Sequence, residues 1–268
     1  MDYSFCKKTT LDHYFSPFNG ISWIFEDVTG ISSGDPMRPF NALMNRPQNK
    51  NLACCRYIQN IVHEAIAFEQ NPEFNLFFLP TPYESYHLTY LDGVNESYKI
   101  GHPWRDKEIN QTFFNNYDID ILSHPFSEIS PAILKTYLDY VESYTEEHYN
   151  LIFKANYDLE LKPIQSVNWK NDGVFIEFDG ASKEDKQGVI ELQDFKNRFG
   201  EITKNDFGFR SNSNMPLHMT LGYFSFPNKA ERVFEHLSKL SPLLAECPSY
   251  HLTTARHCPF STMAHYFI

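Results

Sequence analysis

The chain begins without a basic segment leading into an apolar one: Met1-Asp2-Tyr3-Ser4-Phe5-Cys6-Lys7-Lys8 is mixed in character. It also lacks any apolar run near the ~18 residues that a membrane span needs. A soluble, cytoplasmic protein with no membrane association is therefore expected. Cysteine is scarce. The five present (Cys6, Cys54, Cys55, Cys247 and Cys258) are odd in number and show no C-x-x-C spacing, so neither a disulfide framework nor a cysteine metal site is expected. Positive charge is short as well, with 23 Lys and Arg against 34 Asp and Glu and a net charge of −11. Such a balance argues against wrapping long duplex nucleic acid, whose affinity is dominated by phosphate contacts. A small phosphate compound held in a local pocket remains compatible.

The 268 residues are 42% hydrophobic, enough to bury a full core as one large domain or two small lobes. Strand character is strong at Ile21–Val28. Gly and Pro recur from Thr29 to Gln48, which predicts a long loop carrying Arg38 and Arg46, and Arg38 is a candidate phosphate contact. Apolar residues at helical spacing predict a helix over Asn49–Glu69, with His63 on it. Strands follow at Phe74–Pro80 and around His87, and Asp92-Gly93 is read as a turn. The loop Val94–Asp106 holds Tyr98, His102 and Trp104 and is expected to form a wall or lid. Helices are predicted at Ile109–Ile121 and Pro131–Phe153. Tyr157–Trp169, interrupted by Pro163, and Val174–Phe178 form a hairpin. A helix at Lys183–Phe199, a strand at Pro216–Phe224, a helix at Asn228–Leu244 and strands at Tyr250–Arg256 and Thr262–Ile268 complete the chain.

Two short strings carry the chemistry. Ser85-Tyr86-His87-Leu88-Thr89 and Leu217-His218-Met219-Thr220-Leu221-Gly222-Tyr223-Phe224 each place an imidazole and a hydroxyl two residues apart in a β-prone segment. In a strand, residues i and i+2 share a face, so each His projects with its Thr. With 11 histidines in the chain, about half a His-x-Thr match arises by chance, so the strand context and the following Gly carry the signal. Imidazole ionises near neutral pH and can serve as general base or acid, and threonine hydroxyls can stabilise charge on phosphoryl oxygens. Which histidine is base and which is acid stays open in the sequence. Tyr86 and Phe224 are expected to face the core, and Tyr223 joins the pocket only if a bulge at Gly222 turns it. A third triplet, His251-Leu252-Thr253, lacks the following Gly. It is read as a decoy on a strand beside that of His218, from which it could still line the same pocket. Cys54 and Cys55, on a predicted amphipathic helix, are read as buried thiols and not as nucleophiles.

The paired His-x-Thr strings resemble the 2H phosphoesterase superfamily, which includes 2′,3′-cyclic phosphodiesterases and RNA 2′-5′ ligase-like enzymes. The first string with its tail, Ser-Tyr-His-Leu-Thr-Tyr-Leu-Asp-Gly-Val followed by Trp104, is similar to an uncharacterised subgroup of that superfamily. The resemblance covers residues 18–268, apart from the block 106–155. It implies an α+β fold of two pseudo-symmetric antiparallel sheet lobes flanked by helices. One lobe would span about 18–105 and the other about 156–268, with a helical insertion between. It also implies metal-independent hydrolysis of a small cyclic phosphate, 2′-5′ or cyclic oligonucleotide, with His87, Thr89, His218 and Thr220 as the catalytic set and no cofactor. Tyr223, Tyr98, Trp104 and Arg38 are further candidate substrate contacts. The expected partner is a small nucleotide or RNA end, and the expected state a monomer. Two other readings compete: a module that sequesters a nucleotide without turnover, and an interaction protein that docks through the block 106–155.

Overall fold

The computed structural model describes residues 19–26, 49–68, 78–81, 85–154, 156–170, 173–211, 215–224, 230–262 and 265–266. Arg38, Arg46 and the loop expected around them lie outside the described residues, as do residues 74–77 of the second expected strand. The strands are β1 (Gly20–Glu26), β2 (Phe78–Pro80), β3 (Leu88–Asn95), β4 (Asn156–Lys170), β5 (Gly173–Gly180), β6 (His218–Phe224), β7 (Tyr250–Thr262) and β8 (His265–Tyr266). The helices are α1 (Leu52–Phe68), α2 (Pro103–Asp106), α3 (Glu108–Asn115), α4 (Pro131–Tyr149), α5 (Lys183–Ile202) and α6 (Ala230–Ser238). No described helix is long and apolar enough to cross a membrane.

This is a mixed α+β fold. The described strands pair antiparallel in one sheet with the order β2-β6-β5-β4-β7-β1-β3, and β8 adds to β7. The strands expected in the two lobes lie in this one sheet, because the N-terminal stretches of β4 and β7 pair with each other and join the halves. The sheet also curls. β2 and β3 sit at opposite ends of the order, yet only residues 81–87 separate them in the chain. Consistent with closure, β3 lies against β6, while the Thr81 N–H donates to the Leu221 carbonyl at 2.9 Å and so extends the β2–β6 ladder by one rung.

Several boundaries move for physical reasons. The helix expected to reach Ile121 stops at Asn115, and the chain turns through Asp118, whose φ is +57°. Helix α4 is set by Ser130, which caps the Ile133 N–H with Pro131 at the first position, and it ends at Asn150 in the left-handed region. The helix expected over Asn228–Leu244 splits into α6 and a 3₁₀ segment at Ser241–Glu246, with Pro242 in its first turn. Asp92-Gly93 is no turn but lies within β3, and β4 runs through Pro163 with an irregular register before Val167.

The block 106–155 is part of the main packing. Helix α4 lies against β1 and β7, where Glu142 accepts hydrogen bonds from the Trp23 indole and from the buried imidazole of His257. Burial lowers the His257 pKa, but its hydrogen bonds to Asp139 (3.2 Å) and Glu142 (2.7 Å) more than reverse this and leave it raised. On the same side, Trp23 packs edge-on against Phe199 of α5 at 5.4 Å. A cavity of about 210 Å³ opens there against Tyr90, Lys135, Glu142 and His257.

Candidate functional site

The two His-x-Thr strings occupy equivalent positions at the starts of their strands. His87 immediately precedes β3 and His218 opens β6. The side chains of His87, Thr89, His218 and Thr220 are half-buried, while Leu88, Tyr90, Leu217, Met219 and Leu221 between and beside them are buried. The alternation expected of a strand with one accessible face therefore holds at both strings.

Each histidine is fixed by the same local device. His87 Nδ1 lies 2.8 Å from the Ser85 carbonyl, and His218 Nδ1 lies 3.0 Å from the Pro216 carbonyl, in both cases the residue two positions back. A carbonyl oxygen only accepts, so each Nδ1 carries the proton and donates it. His218 also packs edge-on against Phe175 at 5.2 Å between ring centroids.

A bulge follows each threonine. Thr89 opposes Ile24 and Leu91 opposes Trp23, so Tyr90 is the extra residue in β3. Thr220 opposes Phe175 and Gly222 opposes Val174, so Leu221 is extra in β6. The consequence is a change of phase. Asp92, opposite Ser22, returns to the face of Thr89, and Tyr223, opposite Gly173, returns to the face of Thr220. The bulge required for Tyr223 to join the pocket is thus present. Glycine permits both arrangements: a Cβ at Gly93 would strike the Ile21 carbonyl, and one at Gly222 would strike the Phe78 ring and the Leu79 carbonyl.

The two strings are brought together where β3 lies against β6. The imidazoles are near enough for the charge of His218 to act on His87. The His87 pKa is lowered to about 4, chiefly by burial and further by His218, with the Ser85 hydrogen bond opposing. With its pKa near 4, His87 is a neutral imidazole at neutral pH.

Three residues that the sequence reading passed over enter the site by register or contact. Arg256 opposes Ile24 on β7 and so shares the face of Thr89, where Asn168 holds the matching position beside Phe175 in the other half. Lys196 of α5 is buried, and its Nζ donates to the Met215 carbonyl at 3.1 Å, one residue before the carbonyl that orients His218. Burial lowers its pKa to about 8, and Asp92 opposes the shift. No motif announces any of them: Arg256 is legible only from strand pairing, and Lys196 only from the helix packing that buries it.

The remaining candidates are placed differently. Trp104 is completely buried, and its Nε1 donates to the Tyr137 hydroxyl at 2.8 Å, so it is a core residue with no face for a base. Tyr98 is buried beside it. Burial raises its phenol pKa, with Asp92 adding to the shift. The segment expected as a lid is anchored by buried Arg105, which donates to the Tyr98 carbonyl at 2.9 Å and to the His124 carbonyl at 2.8 Å. His251 is not beside the strand of His218. Its strand, β7, lies between β4 and β1, and Asn51 brackets its backbone at 2.6 and 2.9 Å. Tyr86 and Phe224 are buried in the core, as the alternation predicted.

No protein-family model and no curated protein matches the chain. Among solved structures it is similar to the crystal structure of a conserved protein of unknown function from Agrobacterium tumefaciens strain C58. The identity is 15% and the TM-score 0.51, over 97% of this chain and 88% of that one. At that identity the likeness concerns the fold alone.

Proposed function

We propose that the chain is a 2H-type phosphodiesterase that hydrolyses a small cyclic phosphate or a 2′-5′ or cyclic (oligo)nucleotide by two-histidine acid–base catalysis. The observation that carries the reading is the repetition of one device, a histidine fixed through Nδ1 ahead of a threonine and a bulge, on two strands that lie against each other. The same repetition favours two pseudo-symmetric halves as the organisation of the sheet, one on either side of the β4–β7 pairing.

In this reading the phosphate sits between the two imidazoles. Neutral His87 takes the proton from the attacking water through Nε2, and protonated His218 gives one to the leaving oxygen. The low pKa of His87 suits the base role, because it stays neutral when the partner ring carries the proton. Thr89 and Thr220 donate to the non-bridging oxygens as charge develops. Arg256, on the face of Thr89, supplies positive charge, and Tyr223 flanks the leaving group from the face of Thr220.

The test is a panel of 2′,3′-cyclic nucleotides, 2′-5′ oligonucleotides and cyclic nucleotides incubated with the protein in EDTA. Hydrolysis of at least one class is expected. Tight binding of one class without product would favour the sequestering reading, and inertness toward all of them without binding would end both.

A further inference from the structure

We propose that Cys54 and Cys247 form a reversible intramolecular disulfide, an oxidative modification site that fastens helix α1 to the turn entering β7 and takes a hydroperoxide as oxidant. Their sulfur atoms lie 3.7 Å apart although 193 positions separate them in the chain, and both side chains are completely buried. Closing from that separation to a bond of about 2.05 Å brings the sulfurs about 1.7 Å nearer. Cys247 terminates the 3₁₀ segment Ser241–Glu246, and the Lys162 ammonium is held there by its hydrogen bond to the Cys247 carbonyl at 2.9 Å.

That environment separates the roles of the thiols. The hydrogen bond with Cys54 and the charge of Lys162 favour the Cys247 thiolate against its burial, whereas Cys54 is held as the thiol. Cys55, the next residue, is pushed up by burial and stays protonated. The three sulfurs do not converge as a ligand set: the group of metal-ligand type found among the described residues is Asp139, Glu142 and His257. A redox pair is therefore the chemistry this cluster fits.

The step balances as follows. The Cys247 thiolate attacks the peroxide oxygen, the O–O bond breaks, and a sulfenic acid and hydroxide form. Cys54 sulfur then attacks the sulfenic sulfur and displaces hydroxide, which leaves as water with the Cys54 proton. Two thiols and one peroxide give one disulfide and two waters. The cross-link anchors the helix whose Cys55 lies near Tyr86, the neighbour of His87.

The reduced full-length protein is treated with equimolar hydrogen peroxide, blocked with N-ethylmaleimide under denaturing conditions, and digested with trypsin. The expected product links the peptide Asn51–Arg56, with one N-ethylmaleimide on Cys55, to Leu240–Arg256, with a mass 2 Da below the sum of the two peptides so labelled. Because Cys54 and Cys55 share a peptide, the Cys55→Ser variant must keep the link, and Cys54→Ser and Cys247→Ser must each lose it. Should either of those fail to fold, wild type and Cys55→Ser decide the matter. Oxidised protein is expected to unfold at a higher temperature than reduced protein, and dithiothreitol is expected to reverse the shift. A link through Cys55, or full maleimide labelling of Cys54 and Cys247 after peroxide, would overturn the proposal.

Discussion

The half of the site around His87 and the half around His218 share a backbone plan and differ in what surrounds it. Both fix Nδ1 to a carbonyl two residues back, and both bulge immediately after the threonine. Around Thr89, however, register places Asp92 and Arg256, whereas the same positions around Thr220 are Tyr223 and Asn168. One half is charged and the other is neutral and aromatic. The shared plan fixes both imidazoles through Nδ1, and in the proposed function the difference gives them different work. In that proposal the ring kept neutral by burial suits proton abstraction, and the ring edge-on to Phe175 is left to donate.

Leaving-group chemistry offers the sharpest way to break this comparison. For a poor leaving group, His87→Ala and His218→Ala should each lower kcat by about 10³-fold. With a p-nitrophenyl ester, whose leaving group needs no proton, His218→Ala should recover most of that loss and His87→Ala none. Equal behaviour of the two variants would erase the distinction of roles. The pH profile carries the matching sign. His87 must be neutral to act, so kcat/KM should hold as pH falls from neutrality and drop only through about 4, the folded-state value.

Removing the hydroxyls tests the shared part of the plan. Thr89→Val and Thr220→Val keep the strand shape and should each cost about 10²-fold in kcat with little change in KM. A smaller effect is expected at Lys196, which holds Met215 ahead of the Pro216 carbonyl and faces Asp92 across the halves. Lys196→Met should lower kcat about tenfold while thermal stability holds or rises, because burying the ammonium opposes its charge. Least of all should happen to catalysis at Trp104. Trp104→Phe removes buried volume and the bond to Tyr137 and should cost about 2 kcal/mol of stability, with kcat and KM unchanged.

Local pattern made much of this readable. His87, Thr89, His218 and Thr220 fall on accessible faces because strand alternation is a property of adjacent residues, and the burial of Tyr86 and Phe224 follows from the same rule. Helices α1, α4 and α5 were likewise visible in apolar spacing. Long-range pairing was not. Strand β7 follows α6 in the chain but pairs with β4 and β1, so proximity in sequence misplaced His251 and gave no hint of Arg256. Trp104 looked available because it lies near the first string in sequence, yet its indole bonds to Tyr137 of α4, while Asn110 and Arg105 hold the backbone around it. Lys196 was hidden because a lysine on a helix is ordinarily solvated.

The central claim is that His87 and His218 act on one phosphate. It is tested most directly by a double-variant cycle on the hydrolysed substrate, with all assays in EDTA. Residues that act as a unit are non-additive, so His87→Ala combined with His218→Ala should be about as slow as either single variant. Multiplied losses in the double variant, or wild-type turnover in either single one, would contradict the account.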